Sequence, residues 1–299
     1  MKIGIGLPAA IPGVKGELIL DWARQADSAA FSSLGVIDRV VYPNYDPLMT
    51  LAAVASVTKH IRLMTAVLLA PLYTTALLAK QAASLDALSN GRLTLGLGVG
   101  VREDDFLAVE ASFHDRGKHF DQQLALMTQI WSGQPISGTI GEVGPVPVQA
   151  GGPELLMGGY SRKASERIAR WCNGALVGVG GGGSEIVRQS LEMTRKVWQE
   201  AGRTGKPRMV VTSYYGLGPN VADWVNRTVR DFYAFLGPAV TQVAAGVCST
   251  PEALKRLVQE FTDMGVDELL LWPCIPELDQ ISRLEDAISK VPHQSLGKP

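Results

Sequence analysis

Apolar residues along the chain gather into eight short, nearly continuous runs, over 3–7, 33–37, 61–67, 93–97, 155–158, 175–178, 209–216 and 268–272. They are built of Val, Ile, Leu and Gly with little alternation, the pattern of strands covered on both faces in a parallel sheet. Between the runs the spacing changes to that of amphipathic helices. Thr250 and Pro251 fit the N-cap and first position of one helix, with Leu254, Leu257, Val258, Phe261 and Met264 on one face and Gly265 at its end. Leu77, Leu78, Leu85 and Leu88 predict a second helix face, closed by Asn90 and Gly91. Val187, Leu191, Thr194 and Trp198 predict a third, over 184–201. Strands alternating with helices allow a closed barrel or a doubly wound open sheet. The even count and the lack of a linker favour a (β/α)8 TIM barrel, one domain over 1–299. Two stretches break the rhythm: residues 133–153, rich in Gly and Pro, form an insertion after strand four, and 219–246 form a helical excursion after strand seven. Both are expected to shape the pocket mouth.

Charge narrows the partners. Twenty-eight basic against 29 acidic residues leave a net charge of −1, so there is no electrostatic footprint for nucleic acid or an anionic membrane. No apolar run approaches the ~20 residues of a membrane span. The N-terminus enters a strand pattern at once, without the charged and apolar regions of a signal peptide. Cys172, Cys248 and Cys274 are far apart and odd in number, which fits buried thiols in a reducing cytoplasm and neither a disulfide framework nor a zinc site. The phosphate-loop and serine-hydrolase templates are missing, and His60, His114, His119 and His293 form no metal-binding pair. With no metal signature, an organic cofactor is expected to supply the reactive chemistry.

A barrel carries its site at the carboxyl ends of its strands. Asp38 and Arg39 follow the second run. They read either as a rim ion pair or as a pocket-facing Arg39, held by Asp38, that binds an anionic or electron-rich group. Arginine stays charged at neutral pH and cannot act as a base. After the fourth run, Gly96, Gly98 and Gly100 remove side chains where something flat could approach the backbone. Glu103 reads as a carboxylate at the mouth, or, with Asp104 and Asp105, as the acidic first turn of a helix. Gly158, Gly159, Tyr160 and Ser161 lead into one helix, with Arg162 and Lys163 behind them, and 178–184 lead into another. Free N–H groups at such turns bind anions, although Ser161 and Ser184 also serve as plain caps. Two such turns on adjacent strands point to a phosphate-bearing ligand. The G-x-G-x-x-G match over 178–183 lacks an acid at the end of the next strand and is not read as a dinucleotide site.

Several segments taken together carry a family resemblance: DRVVYP over 38–43, PLMTLAAVA over 47–55, IRLMTAVLLAP over 61–71, LAKQAASLDALSNGR over 78–92 and GLGVG over 96–100. They resemble the bacterial luciferase-like monooxygenase family of flavin- and F420-dependent oxidoreductases. The resemblance implies a barrel that binds reduced FMN or F420 at the strand ends. It implies a non-proline cis peptide at Val67–Leu68, behind the isoalloxazine ring, with Val99 and Gly100 beside the ring. Gly158, Gly159, Tyr160 and Ser161, with Val179 and Gly180, match segments that hold the ribityl phosphate. It implies a separate flavin reductase, and a homodimer through the early helices. One departure stands out: many members carry histidine where this chain has Arg39, so a histidine mechanism does not transfer. The leading expectation is a monooxygenase using reduced FMN and dioxygen on a small organic substrate, with Arg39, Asp38 and Glu103 as catalytic candidates. An F420-dependent reductase or dehydrogenase is the alternative, and a flavin-binding barrel without catalysis the third.

Overall fold

The computed structural model describes residues 1–179 and 183–289. Each apolar run is a strand: β1 (Lys2–Gly6), β2 (Ser33–Val36), β3 (Arg62–Leu69), β4 (Leu93–Gly98), β5 (Glu154–Gly158), β6 (Gly174–Gly178), β7 (Arg208–Tyr215) and β8 (Glu268–Pro273). All neighbours pair parallel in sequence order, and β8 closes onto β1. The helices are α1 (Gly16–Ser28), α2 (Pro47–Val57), α3 (Thr75–Leu88), α4 (Glu103–Ala108), α5 (Arg116–Trp131), α6 (Arg162–Trp171), α7 (Gly183–Glu200), α8 (Val221–Val225), α9 (Val240–Ala245), α10 (Pro251–Asp263) and α11 (Asp279–Ile288). The expected (β/α)8 barrel is therefore present.

Local chemistry starts these helices. Asp46, Ser161 and Thr250 each accept a backbone N–H three residues on, which satisfies one orphan donor apiece. Gly265, at φ +71°, ends the turn after α10. The expected face of α3 is corrected: Leu78 and Leu85 are buried with Ala79, Ala82 and Ala83, whereas Leu77 and Leu88 are 54% and 74% exposed. The small alanines let α3 lie close to its neighbours, and the apolar stripe is offset from the leucines.

The main core lies between strands and helices. The barrel interior is stacked in layers. At the N-terminal end, Arg208 is ion-paired to both Glu154 and Glu268. Ser33 donates to Glu268 at 2.5 Å, and Thr94 donates to Glu154 at 2.7 Å. Burial raises the Glu154 carboxyl, but Arg208, Thr94 and Arg62 outweigh it and hold the group below its ordinary value. Above this polar plug lies an apolar layer of Met64, Leu156, Leu176, Val210 and Leu270.

The two breaks in rhythm lie at opposite ends of the barrel. Residues 133–153 follow α5 and lead into β5, with no regular element. Gln149 donates to Asp86 and to Leu93 O, at the start of β4, and Lys80 donates to Gly144 O. This insertion therefore packs on the N-terminal end of the barrel and does not shape the mouth. Residues 219–246 are helical, as expected, and follow β7 at the carboxyl end: α8, a π-helical turn (Asn226–Arg230), a 3₁₀ segment (Ala234–Ala239) and α9. All three cysteines are buried and free, and burial pushes their thiols up to about 12, 11 and 12 for Cys172, Cys248 and Cys274. Among the described residues, no helix is long and apolar enough to cross a membrane.

Candidate active site at the barrel mouth

Three glycines on adjacent strands form the floor of the mouth. Gly98, Gly158 and Gly178 follow the inward-facing Gly96, Leu156 and Leu176 by two residues, so they face inward as well. The register sets Leu97 opposite Met157, which puts Gly98 beside Gly158, and Gly158 opposite Leu176, which leaves Gly178 one inward position further along β6. A Cβ on Gly98 would come to 2.6 Å from Val67, and one on Gly158 to 3.2 Å from the same side chain. Val67 belongs to the bulge in β3, where pairing with β4 jumps from Thr65 to Leu68. The cis peptide is Ala66–Val67 and not Val67–Leu68. The extra residue of the bulge sits before Leu68, which is already back in register opposite Leu97. Across the mouth, Trp272 fills the space over Gly6 and Gly35.

The turn after β5 borders the floor. Tyr160 is half-exposed and donates from its hydroxyl to Gly178 O at 2.9 Å. Gly159 comes so close to α6 that a Cβ there would meet Ala164 at 2.6 Å. Ser161 caps Ala164 N–H, which leaves the N–H groups of Arg162 and Lys163 without partners among the described residues. The Arg162 guanidinium is engaged by Glu166 and Glu200. Val179 N–H is bonded to Thr212 O. Gly180 lies outside the described residues.

The excursion after β7 covers the other half of the mouth. Arg39 donates to Phe232 O at 2.6 Å and stacks on Tyr42, Phe232 and Phe235, with its Nε buried and unpartnered. Tyr42 donates to Asp231 at 2.6 Å, and Arg102 lies 4.7 Å from the Phe235 ring. A small, partly open space of about 30 Å³ lies beneath, lined by Ile37, Tyr214, Val229, Phe232 and Trp272 among others. That is room for about one water molecule.

The expected Asp38–Arg39 ion pair is not formed. Asp38 is buried and accepts from Leu69 N–H at 2.9 Å and Tyr73 at 3.3 Å, which ties the end of β2 to the end of β3. Arg39 turns away to the excursion. Glu103 is exposed on the first turn of α4, so its place is that of the helix-start reading. The buried carboxylate near it is Asp105, which accepts from both Val40 N–H and Val41 N–H. Sequence reasoning placed Asp105 only in the first turn of α4, and it passed over Tyr214, Tyr233 and Trp272, because nothing local separates these three from core residues.

The luciferase-like monooxygenase profile matches residues 1–268. The chain belongs to that family. The monooxygenase RslO1 from Streptomyces bottropensis shares the fold, with a TM-score of 0.80 at 21% identity over 97% of this chain and 98% of its own. An F420-dependent secondary alcohol dehydrogenase, solved with an F420–acetone adduct, reaches 0.80 at 15% identity over 98% and 100%. The oxygenating constituent of 3,6-diketocamphane monooxygenase from Pseudomonas putida, in complex with FMN, reaches 0.73 at 18% identity over 97% of each. At these identities the likeness is one of fold. Luciferase-like family members are oxidoreductases, and the expectation of an enzyme stands.

In this luciferase-like barrel two mouth residues are open to direct test. Burial pushes the Asp38 carboxyl up to about 6, and the bonds from Leu69 and Tyr73 only partly offset it. A native group that holds its proton more tightly than the unfolded chain loses stability as pH rises, here from about 4 to about 6. Asp38→Asn keeps an acceptor for both partners and removes the buried charge. It should be more stable than wild type by about 1–3 kcal/mol at pH 7.5, with the gap closing below pH 4, as read by urea unfolding. Arg39→Ala removes one hydrogen bond and two ring contacts from the excursion. Amide exchange over 226–236 should speed up roughly tenfold; unchanged exchange would show that Arg39 does not hold this segment.

Proposed function

We propose that the enzyme is a monooxygenase that uses reduced FMN and dioxygen on a small organic substrate. The observation that carries this reading is the set of inward glycines at the ends of β4, β5 and β6, Gly98, Gly158 and Gly178, with Val67 against the first two, beside the α6 N–H groups that have no partner among the described residues. A floor that carries little more than the Val67 side chain suits a flat ring, and a helix N-terminus suits a phosphate. Val67, Leu68, Val99 and Gly100 would border the ring, and Gly158, Gly159, Tyr160 and Ser161, with Val179 and Gly180, would take the ribityl phosphate. Because Arg162 is spent on Glu166 and Glu200, what remains is Lys163 and backbone N–H. That set suits one phosphate better than a longer, carboxylate-bearing tail.

The bound reduced flavin would supply two electrons to dioxygen, one oxygen atom passing to the substrate and the other to water. The protein's part is to keep this chemistry dry. Ile37, Phe232 and Trp272 wall the mouth with apolar surface, and Arg39 holds the excursion down over it. Arg39 thus serves closure here, in place of a proton-transfer role that arginine cannot fill. A separate reductase would deliver the reduced flavin. A second copy of this chain would cover the outer faces of α2 and α3, where Met49 and Leu77 are exposed.

The test is anaerobic titration of the protein with reduced FMN and, separately, reduced F420, read by protein fluorescence. Saturable micromolar binding of FMN is expected. F420 binding with none of FMN would overturn the proposal in favour of hydride transfer, as in the alcohol dehydrogenase that shares this fold.

A further inference from the structure

The excursion after β7 carries a second recess, on the face turned away from the mouth. Thr228, Val229 and Phe232 line the small space at the mouth, whereas Asn226 and Arg230 of the same segment line a groove of about 560 Å³. Sites for small molecules commonly measure about 300–1,000 Å³. Val225 and Ala244 of the groove and Val229 of the mouth share one small core with Cys274 and Ile275. The two spaces therefore lie on opposite sides of one packed layer. The groove has a local cause. Helix α8 has five residues and α9 has six, and their facing sides do not close on each other. From α8 come Val221 and Val225, and from α9 come Thr241, Ala244 and Ala245 at helical spacing. The short alanine side chains leave the seam open, and Val247 and Ser249 complete its lining.

Charge says what the groove would hold. Arg230 is the only charged group among the described residues that line it. Its Nη1 donates to Thr241 Oγ1 at 3.2 Å, and among the described residues no carboxylate pairs with it. Its Nε and Nη2 hydrogens are left for a ligand. Asp223 and Asp231 belong to the same excursion, but neither lines the groove, and Asp231 is engaged by Tyr42. A guanidinium fork matches a planar carboxylate, and one such cation balances one negative charge. We propose that this groove binds a small carboxylate with a short apolar chain, at a site separate from the barrel mouth. Arg230 takes the carboxylate, with the Asn226 amide and the Ser249 hydroxyl as further donors. The chain lies along Val221, Val225, Ala244 and Val247. A ligand so placed ties α8 to α9 and steadies the excursion from outside. The site does not rest on the flavin reading, and its test needs no flavin.

The probe is octanoate, compared with 1-octanol, which lacks the charge, and acetate, which lacks the chain. Binding is read by calorimetric titration and located by amide exchange. Wild type should bind octanoate saturably at submillimolar concentration, and octanol and acetate each on the order of tenfold more weakly. Octanoate should slow exchange over 221–249. Arg230→Gln keeps a donor for Thr241 and loses the charge. It should weaken octanoate on the order of tenfold and leave octanol unchanged. Ala245→Phe fills the groove from an exposed position on α9 and should abolish octanoate binding. A melting curve checks that this variant is folded, and Arg230→Gln decides the matter if it is not. Four results would each overturn the proposal: equal affinity for octanoate and octanol, undiminished octanoate binding by Arg230→Gln, slowed exchange at the strand ends with 221–249 unchanged, or no saturable binding by wild type.

Discussion

Gly158→Val should all but eliminate binding of reduced FMN while the barrel stays folded. The new Cβ would stand 3.2 Å from Val67 and 3.5 Å from Leu176 O, tight enough to push Val67 but not to break the strand. Gly158 has an ordinary backbone conformation, so the substitution adds volume without forcing a left-handed residue. Two methyl groups would then rise from the middle of the three-glycine floor. Losing the flat seat should weaken binding by on the order of 100-fold or more, about 3 kcal/mol. The thermal midpoint should move by only a few degrees. Fluorescence titration and a melting curve read both. If the variant binds reduced FMN as wild type does, the floor is not the ring's seat.

Arg208→Leu should produce the largest loss of stability. It removes the cation shared by Glu154 and Glu268 at the closed end of the barrel. Two carboxylates would remain in the interior, Glu268 almost wholly buried. Breaking a buried network from one side costs about 3–5 kcal/mol. The pH dependence gives the mechanism. Glu154 sits below its ordinary 4.5 in the native state, so its stabilising contribution is present above pH 4.5 and is lost as pH falls through its native value. Without Arg208 the main influence that lowers Glu154 is gone, and acid relieves the variant by neutralising that stranded carboxylate. Urea unfolding at pH 7.5 and pH 4 should therefore show the gap between the two proteins shrinking in acid. A gap of constant size would assign the loss to packing.

The strands were legible because a strand buried on both faces must be apolar almost throughout, and eight such runs leave few architectures. The cap at Ser161 and the glycine turn before it were legible for a local reason too: a helix start needs an acceptor, and the backbone approaches α6 closely at Gly159. What failed to show was whatever depends on register or on distant partners. The glycine floor exists only because pairing sets Gly98 beside Gly158, with Gly178 one inward position further along β6. The cis bond fell one residue from its expected place because the bulge absorbs its extra residue before Leu68. Asp38 and Arg39 are adjacent, yet their partners are 31 and 193 residues away. The insertion over 133–153 carries the composition of a mouth loop but follows a helix, and chain direction alone puts it at the other end of the barrel. Tyr214 and Tyr233 look like ordinary core aromatics until the fold sets one against the other.

The sealed thiols have a practical consequence. Cys172, Cys248 and Cys274 are all buried, with their thiolates disfavoured near neutral pH, so maleimide reagents should leave the native enzyme unlabelled. A single cysteine introduced at the half-open position Leu236 would then carry the sole dye on the molecule. Its emission would show whether the segment over the mouth moves when a ligand is added, against a dark background that the chain already provides.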